Sequence, residues 1–145
     1  MATFPASIVT PERNLLETEV SEVVMRTDGG EAAFLAGHTP LVGAVVPGLV
    51  RFVAEDGTEQ RAAVHGGFVQ VDGSSVVVLA PVAELAEEID VARAQQALET
   101  ADARLAELAA AGRSNVETDG GTDRDVADAT AARRRAEVRL EVAGA

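Results

Sequence analysis

The chain of 145 residues contains no cysteine and no lysine, and only two histidines, His38 and His65. Without cysteine it has no disulfide, no thiolate nucleophile and no Cys-containing zinc site, and two separated imidazoles are too few for a His-rich metal site. Without lysine it has no phosphate loop of the Gly-x-x-x-x-Gly-Lys type; a Gly-x-Ser-x-Gly elbow and a His-Glu-x-x-His pair are missing as well. Positive charge is scarce. All twelve basic residues are arginine, set against 24 acids for a net charge of −12 and a pI near 4.5. A basic face for nucleic acid or anionic lipid is therefore excluded as the main business of the surface. The first ten residues lack the basic start and apolar core of a signal peptide, which leads to the expectation of a cytoplasmic chain. One uncharged run, 32–50, approaches the length of a membrane span, but Gly37-His38-Thr39-Pro40 and Pro47-Gly48 cut it into pieces suited to buried strands and turns. No direct membrane insertion is expected.

What is present changes character near residue 83. All five prolines and nine of the thirteen glycines precede that point, whereas seventeen alanines and no proline follow it. The first part reads as short strands between turn signals, at 3–10, 15–27, 31–35, 41–46, 48–55, 59–65, 68–72 and 75–80. Asp28-Gly29-Gly30, Glu55-Asp56-Gly57 and Asp72-Gly73-Ser74 supply hairpin turns, because Gly and Asp tolerate positive φ at low cost. Strand spacing of this kind predicts a sandwich. In the second part Val91, Ala94, Leu98, Ala101, Leu105 and Leu108 recur three and four apart, one apolar stripe on a helix of about five turns. Gly112 ends it, and a second helix is expected over about 125–142, with Val126, Ala129, Ala136 and Leu140 on one side. The fold class is α+β: a β-sandwich over 1–83, then an antiparallel helical hairpin over 84–145 whose connecting loop, 112–124, is polar and expected to be mobile. Alanine stripes give a thin contact, so the hairpin is expected to dock weakly and to rearrange.

Few residues suggest chemistry. The acidic pairs Glu55-Asp56 and Glu87-Glu88 sit beside turns or helix starts, where solvated carboxylates are ordinary. His38 and His65 read as loop histidines whose rings bond a carbonyl. Asp90 and Arg93, in Ile89-Asp90-Val91-Ala92-Arg93-Ala94, lie one turn apart at the start of the first helix; the pair reads either as a capping aspartate with a surface arginine or as a ligand site. Arg133-Arg134-Arg135 and Arg139 mark the second helix. Arg135 and Arg139 project together, away from the apolar stripe, as a fork able to grip phosphate. Arg133 falls inside the stripe, so its stem is expected to pack while its head reaches water or a carboxylate.

A set of short strings, in order and at consistent spacing, resembles the epsilon subunit of F-type ATP synthase over nearly the whole chain. They are Gly30-Glu31, Gly37-His38-Thr39-Pro40-Leu41, Pro47-Gly48, Gly66-Gly67-Phe68-Val69-Gln70-Val71, Val76-Val77-Val78-Leu79-Ala80, Ile89-Asp90-Val91-Ala92-Arg93-Ala94 and Arg135-Ala136-Glu137-Val138-Arg139-Leu140. The resemblance implies a non-catalytic rotor subunit with no required cofactor, peripheral on the cytoplasmic face of the cell membrane. By it the sandwich binds the gamma subunit and the c-ring, so that proton-driven rotation reaches the sites of ATP synthesis. The hairpin, when extended, contacts the alpha/beta catalytic head and blocks ATP hydrolysis. Glu31 and His38 match positions facing the c-ring. Glu84, Asp90, Arg93, Arg135 and Arg139 match positions that bind ATP as a regulatory ligand in some members. Three residues depart from the pattern: Ala33 and Ala36 stand where a glycine and a proline are common, and Thr100 where ATP-binding members have arginine. The loop after Gly112 is also longer and more acidic than is usual. Two other classes compete, a free-standing nucleotide-sensing regulatory module and a small β-sandwich enzyme acting on sugars or esters; the second needs a convergent carboxylate or histidine pair that the sequence does not offer.

Overall fold

Glycines and aspartates punctuate the first half so closely that each apolar run has room only for a short strand, and ten form. The computed structural model describes residues 2–114 and 123–144. The strands are β1 Phe4–Val9, β2 Asn14–Val20, β3 Glu22–Thr27, β4 Gly30–Leu35, β5 Leu41–Val45, β6 Gly48–Val53, β7 Glu59–Val64, β8 Gly67–Val71, β9 Val76–Leu79 and β10 Ala83–Leu85. They are hydrogen-bonded in the order β10-β7-β6-β3-β5-β8-β9-β1-β2, with β4 on β3. A single residue pair, Thr27 with Val45, joins β3 to β5. That pair is the corner at which one continuous sheet turns into two facing layers. Between the layers alternate residues interdigitate as the core, among them Ile8, Val23, Met25, Phe34, Val50, Phe52, Val69 and Val78. The turns are closed as their composition dictates: Asp56 Oδ1 accepts the Thr58 N–H at 2.9 Å, and Asp72 Oδ1 accepts those of Ser74 and Ser75 at 2.9 and 2.8 Å.

Two differences from the sequence expectation are physical in origin. The stretch 15–27 is two strands rather than one. At Ser21 the chain leaves β1 for new partners: its N–H donates to Val53 O at 2.8 Å, and its hydroxyl lies 3.2 and 3.3 Å from the Val53 and Ala54 carbonyls. The sheet also takes in β10, which pairs with β7 through Ala83, Glu84 and Leu85, and a short 3-10 turn at Ala86–Glu88 follows. The β unit therefore runs to Ile89.

The second unit, Asp90–Ala145, holds α1, Val91–Ala110, and α2, Arg124–Ala143. Both helices are capped by aspartate. Asp90 Oδ1 accepts the Arg93 N–H at 3.1 Å, and Asp123 Oδ1 accepts those of Asp125 and Val126 at 3.1 and 3.4 Å. On α1 the stripe buries Ala94, Ala101 and Leu108. On α2 Val126, Ala129 and Ala136 are buried as the spacing predicts, but Leu140 is only half-buried, and Val138 and Val142 are buried instead. Of the expected loop 112–124, residues 115–122 lie outside the described residues. Its two ends are tied together. Arg113 Nε and Nη2 donate to Asp123 at 2.7 and 2.8 Å, and Nη2 also to Asp125 at 2.8 Å.

Candidate functional site

Period-two geometry sorts each strand into an inner and an outer set. On β5, β8, β9 and β1 the inner set is core, while the outer set is Val42 and Ala44, Phe68 and Gln70, Val77 and Leu79, and Pro5, Ser7 and Val9. Registration makes these nine residues one surface. Ala44 lies opposite Phe68, Phe68 opposite Leu79, and Leu79 beside Val9, while Val42 lies opposite Gln70 and Gln70 opposite Val77. No charged residue interrupts it, although a quarter of the chain is charged. Val42, Phe68 and Leu79 are 74%, 57% and 44% exposed. Where β2 continues the layer the surface turns acidic, with Glu17 and Glu19 opposite Ser7 and Pro5. An exposed apolar surface with a charged rim is the anatomy of a protein interface. Sequence reading missed it. The available signal was the absence of alternation in Val76-Val77-Val78-Leu79, a strand apolar on both faces, which normally means both faces are covered.

Glu31 and His38, expected to face a common partner, occupy opposite ends of β4. Glu31 is exposed near its start, opposite Arg26 on β3. His38 follows its end, where the backbone turns with the His38 N–H donating to Leu35 O at 3.1 Å. The His38 ring bonds a carbonyl as expected for a loop histidine: Nδ1 donates to Thr39 O at 2.7 Å, and the ring stands edge-on to Phe34 with centroids 4.8 Å apart. His65 instead is buried beside a carboxylate, Nε2 lying 3.4 Å from Glu84 Oε1. That contact is where β10 places Glu84.

In the helical unit Asp90 caps α1, and Arg93, one turn in, lines a groove between the helices of about 450 Å³. Gln96, Ala97, Thr100, Ala101 and Arg104 of α1 and Ala129 and Ala132 of α2 complete its lining. Arg135 is exposed and Arg139 half-buried, and neither lines the groove. Arg133 is exposed rather than packed into the stripe, but its head reaches carboxylates as expected, Nε lying 2.7 Å from Asp102 and 3.2 Å from Glu137. Among the described residues no cluster of three or more His, Asp or Glu is arranged to hold a metal ion, and no helix is long and apolar enough to cross a membrane.

A sandwich with one uncharged outer face, followed by a two-helix hairpin, defines a module built to be assembled with other proteins. The family model described as ATP synthase, Delta/Epsilon chain, beta-sandwich domain matches residues 3–86, and that for the long alpha-helix domain matches residues 87–144. The chain is 41% identical over 146 residues to the ATP synthase epsilon chain of Symbiobacterium thermophilum, covering 100% of this chain and 96% of the relative. It is 39% identical over 145 residues to that of Moorella thermoacetica, covering 100% and 99%. Among solved structures, a chain of the Euglena gracilis mitochondrial ATP synthase, OSCP/F1/c-ring in rotational state 1, superposes with a TM-score of 0.67 at 25% identity, covering 99% of this chain and 79% of that one. A chain of the Tetrahymena thermophila mitochondrial ATP synthase central stalk/c-ring shares the fold, with a TM-score of 0.57 at 12% identity, covering 98% and 97%. The chain belongs to the ATP synthase delta/epsilon chain family, and its full-length relatives place it with the bacterial epsilon chains, non-catalytic subunits of that enzyme complex.

Proposed function

We propose that this chain is a central-stalk rotor subunit of a proton-translocating F-type ATP synthase, coupling proton-driven rotation to ATP synthesis. It works from the cytoplasmic face of the membrane as a peripheral component, held by gamma and by the loops of the c-ring. The observation that carries the reading is the uncharged outer face of β5, β8, β9 and β1. A chain with a net charge of −12 has abundant polar residues with which to cover a free surface. A standing apolar face on a rotor must transmit torque without slipping, and a well-packed, dehydrated contact with gamma does so. A free-standing nucleotide sensor has no use for such a face. The helical hairpin serves as a regulator of ATP hydrolysis, reaching the alpha/beta head when extended. ATP is its regulatory ligand, held within the hairpin through Asp90, Arg93, Arg135 and Arg139. Ligand bound only to the folded hairpin stabilises that form by mass action.

Capture of the tagged chain from detergent-solubilised membranes tests the rotor reading. Gamma and the catalytic-head subunits are expected in the eluate. Recovery of the chain alone, under conditions that leave the head complex intact, would sink it.

A further inference from the structure

We propose that Arg104 is a phosphate-binding residue of the hairpin, acting with Arg93 as the two ends of a cationic rail on α1 that takes a nucleoside triphosphate. The inference rests on the nucleotide-binding reading above and names which guanidinium groups do the work. Arg93, Gln96, Thr100 and Arg104 are spaced three, four and four apart, so they form one longitudinal row on α1, about 16 Å from end to end at 1.5 Å per residue. All four line the groove. Every polar side chain in its lining is a hydrogen-bond donor, no carboxylate is among them, and the floor is alanine, including Ala101 and Ala129. In a chain with twice as many acids as arginines this is a local reversal of charge.

Three other arginines of the hairpin are already engaged. Arg113 is locked to Asp123 and Asp125, Arg133 lies on Asp102 and Glu137, and Arg134 lies 3.6 Å from Glu137. Arg93 enters no ion pair among the described residues. Among the described residues Arg104 pairs with Glu107 alone, Nη1 to Oε1 at 3.3 Å, with both side chains well exposed at 45% and 73%. An exposed pair of this kind holds its partners weakly. Helical side chains lean toward the N-terminus, so an Arg104 released from Glu107 covers the turn occupied by Thr100. There its fork and the Thr100 hydroxyl converge on one stretch of groove, toward Arg93. Small alanines leave an apolar floor for the flat base, and the donors grip the phosphates.

Titration of the full chain with ATP at low ionic strength, followed calorimetrically, tests this. The parent chain is expected to saturate. Arg104→Ala weakens binding about tenfold or more, the scale of one charge-assisted contact. Arg124→Ala, a control with the same charge change outside the groove, shifts it by less than about twofold. Thr100→Arg added to Arg104→Ala places a guanidinium one turn back in the same row and recovers most of the loss, which a merely structural role for Arg104 would not allow. Inorganic triphosphate binds more weakly than ATP if the alanine floor takes the base; equal binding overturns the nucleoside part of the proposal. Parent-like affinity for Arg104→Ala, with the loss following Arg135→Ala instead, overturns the rail while the nucleotide reading stands. No saturation of the parent chain at millimolar ATP overturns both.

Discussion

At Gly67 the backbone turns at φ +123°, and a Cβ built there would overlap the carbonyl oxygen of Leu79 on the neighbouring strand. Both the conformation and the space require glycine, at the point where β8 begins beside β9. Gly67→Ala is therefore expected to lower stability by about 3 kcal/mol or more, read as a reduced urea midpoint at unchanged slope. A gentler case is Asp72, whose carboxylate accepts the Ser74 and Ser75 N–H groups and both their hydroxyls. These bonds favour the charged form and hold its pKa below the ordinary aspartate value of 3.8, led by the Ser74 N–H. The folded state thus binds the Asp72 proton less readily than the unfolded chain does. Its contribution to stability is present above the unfolded value and is lost as pH falls through the lower folded one. A chemical-shift titration of Asp72 is expected to show its inflection below 3.8. Asp72→Asn removes that share of the acid dependence, leaving the similarly depressed Asp123, held by Arg113, to supply its own.

Elements differ in how firmly they are held. Each buried position of the α1 stripe is alanine except Leu108, which packs with Leu105, Val126 and Ala129 in an apolar cluster near the loop end of the hairpin. Leu108→Ala is expected to cost about 2–3 kcal/mol in the pairing of the helices. In hydrogen exchange it raises the rates of α1 and α2 while the strands around Val69 and Val78 keep theirs. Asp90→Ala, removing the cap of α1, costs about 1 kcal/mol and frays its first turn in the same experiment. Helix termini and the stripe of α1 were legible because both are local: a cap acts within three residues and a stripe repeats within one helix. The break at Ser21 was not. Leu15, Leu16, Val20, Val23, Val24 and Met25 make an apolar series with no turn signal, and the split is created by bonds to Val53 and Ala54, more than thirty residues away. β10 likewise has no alternation of its own and exists because β7 offers it an edge.

For the whole molecule the decisive quantity is where charge is withheld. The net −12 divides evenly, −6 before residue 84 and −6 after it, so composition by halves points to no surface at all. Only strand registration brings Val42, Phe68, Leu79 and Val9 into one uncharged patch, since these residues are far apart in the chain and each, taken singly, is an ordinary exposed hydrophobe. The Asp90–Arg93 pair was legible as local helix chemistry, whereas the groove to which Arg93 belongs needed α2 in place. If the patch is the seat of a partner, a charge at its centre should destroy binding without harming the fold. Phe68 meets that condition, being 57% exposed on a strand whose core positions are Val69 and Val71. Phe68→Asp is expected to leave the unfolding midpoint within about 0.5 kcal/mol of the parent, as for other surface substitutions. Capture from membranes should fall at least tenfold, because an unpaired carboxylate buried in an apolar contact costs several kcal/mol. Gln70→Glu, at the polar position of the same strand, is the graded comparison: it adds the same charge without removing the aromatic anchor, so its loss should be smaller. Equal capture of Phe68→Asp and the parent chain would place the partner on another face of the sandwich.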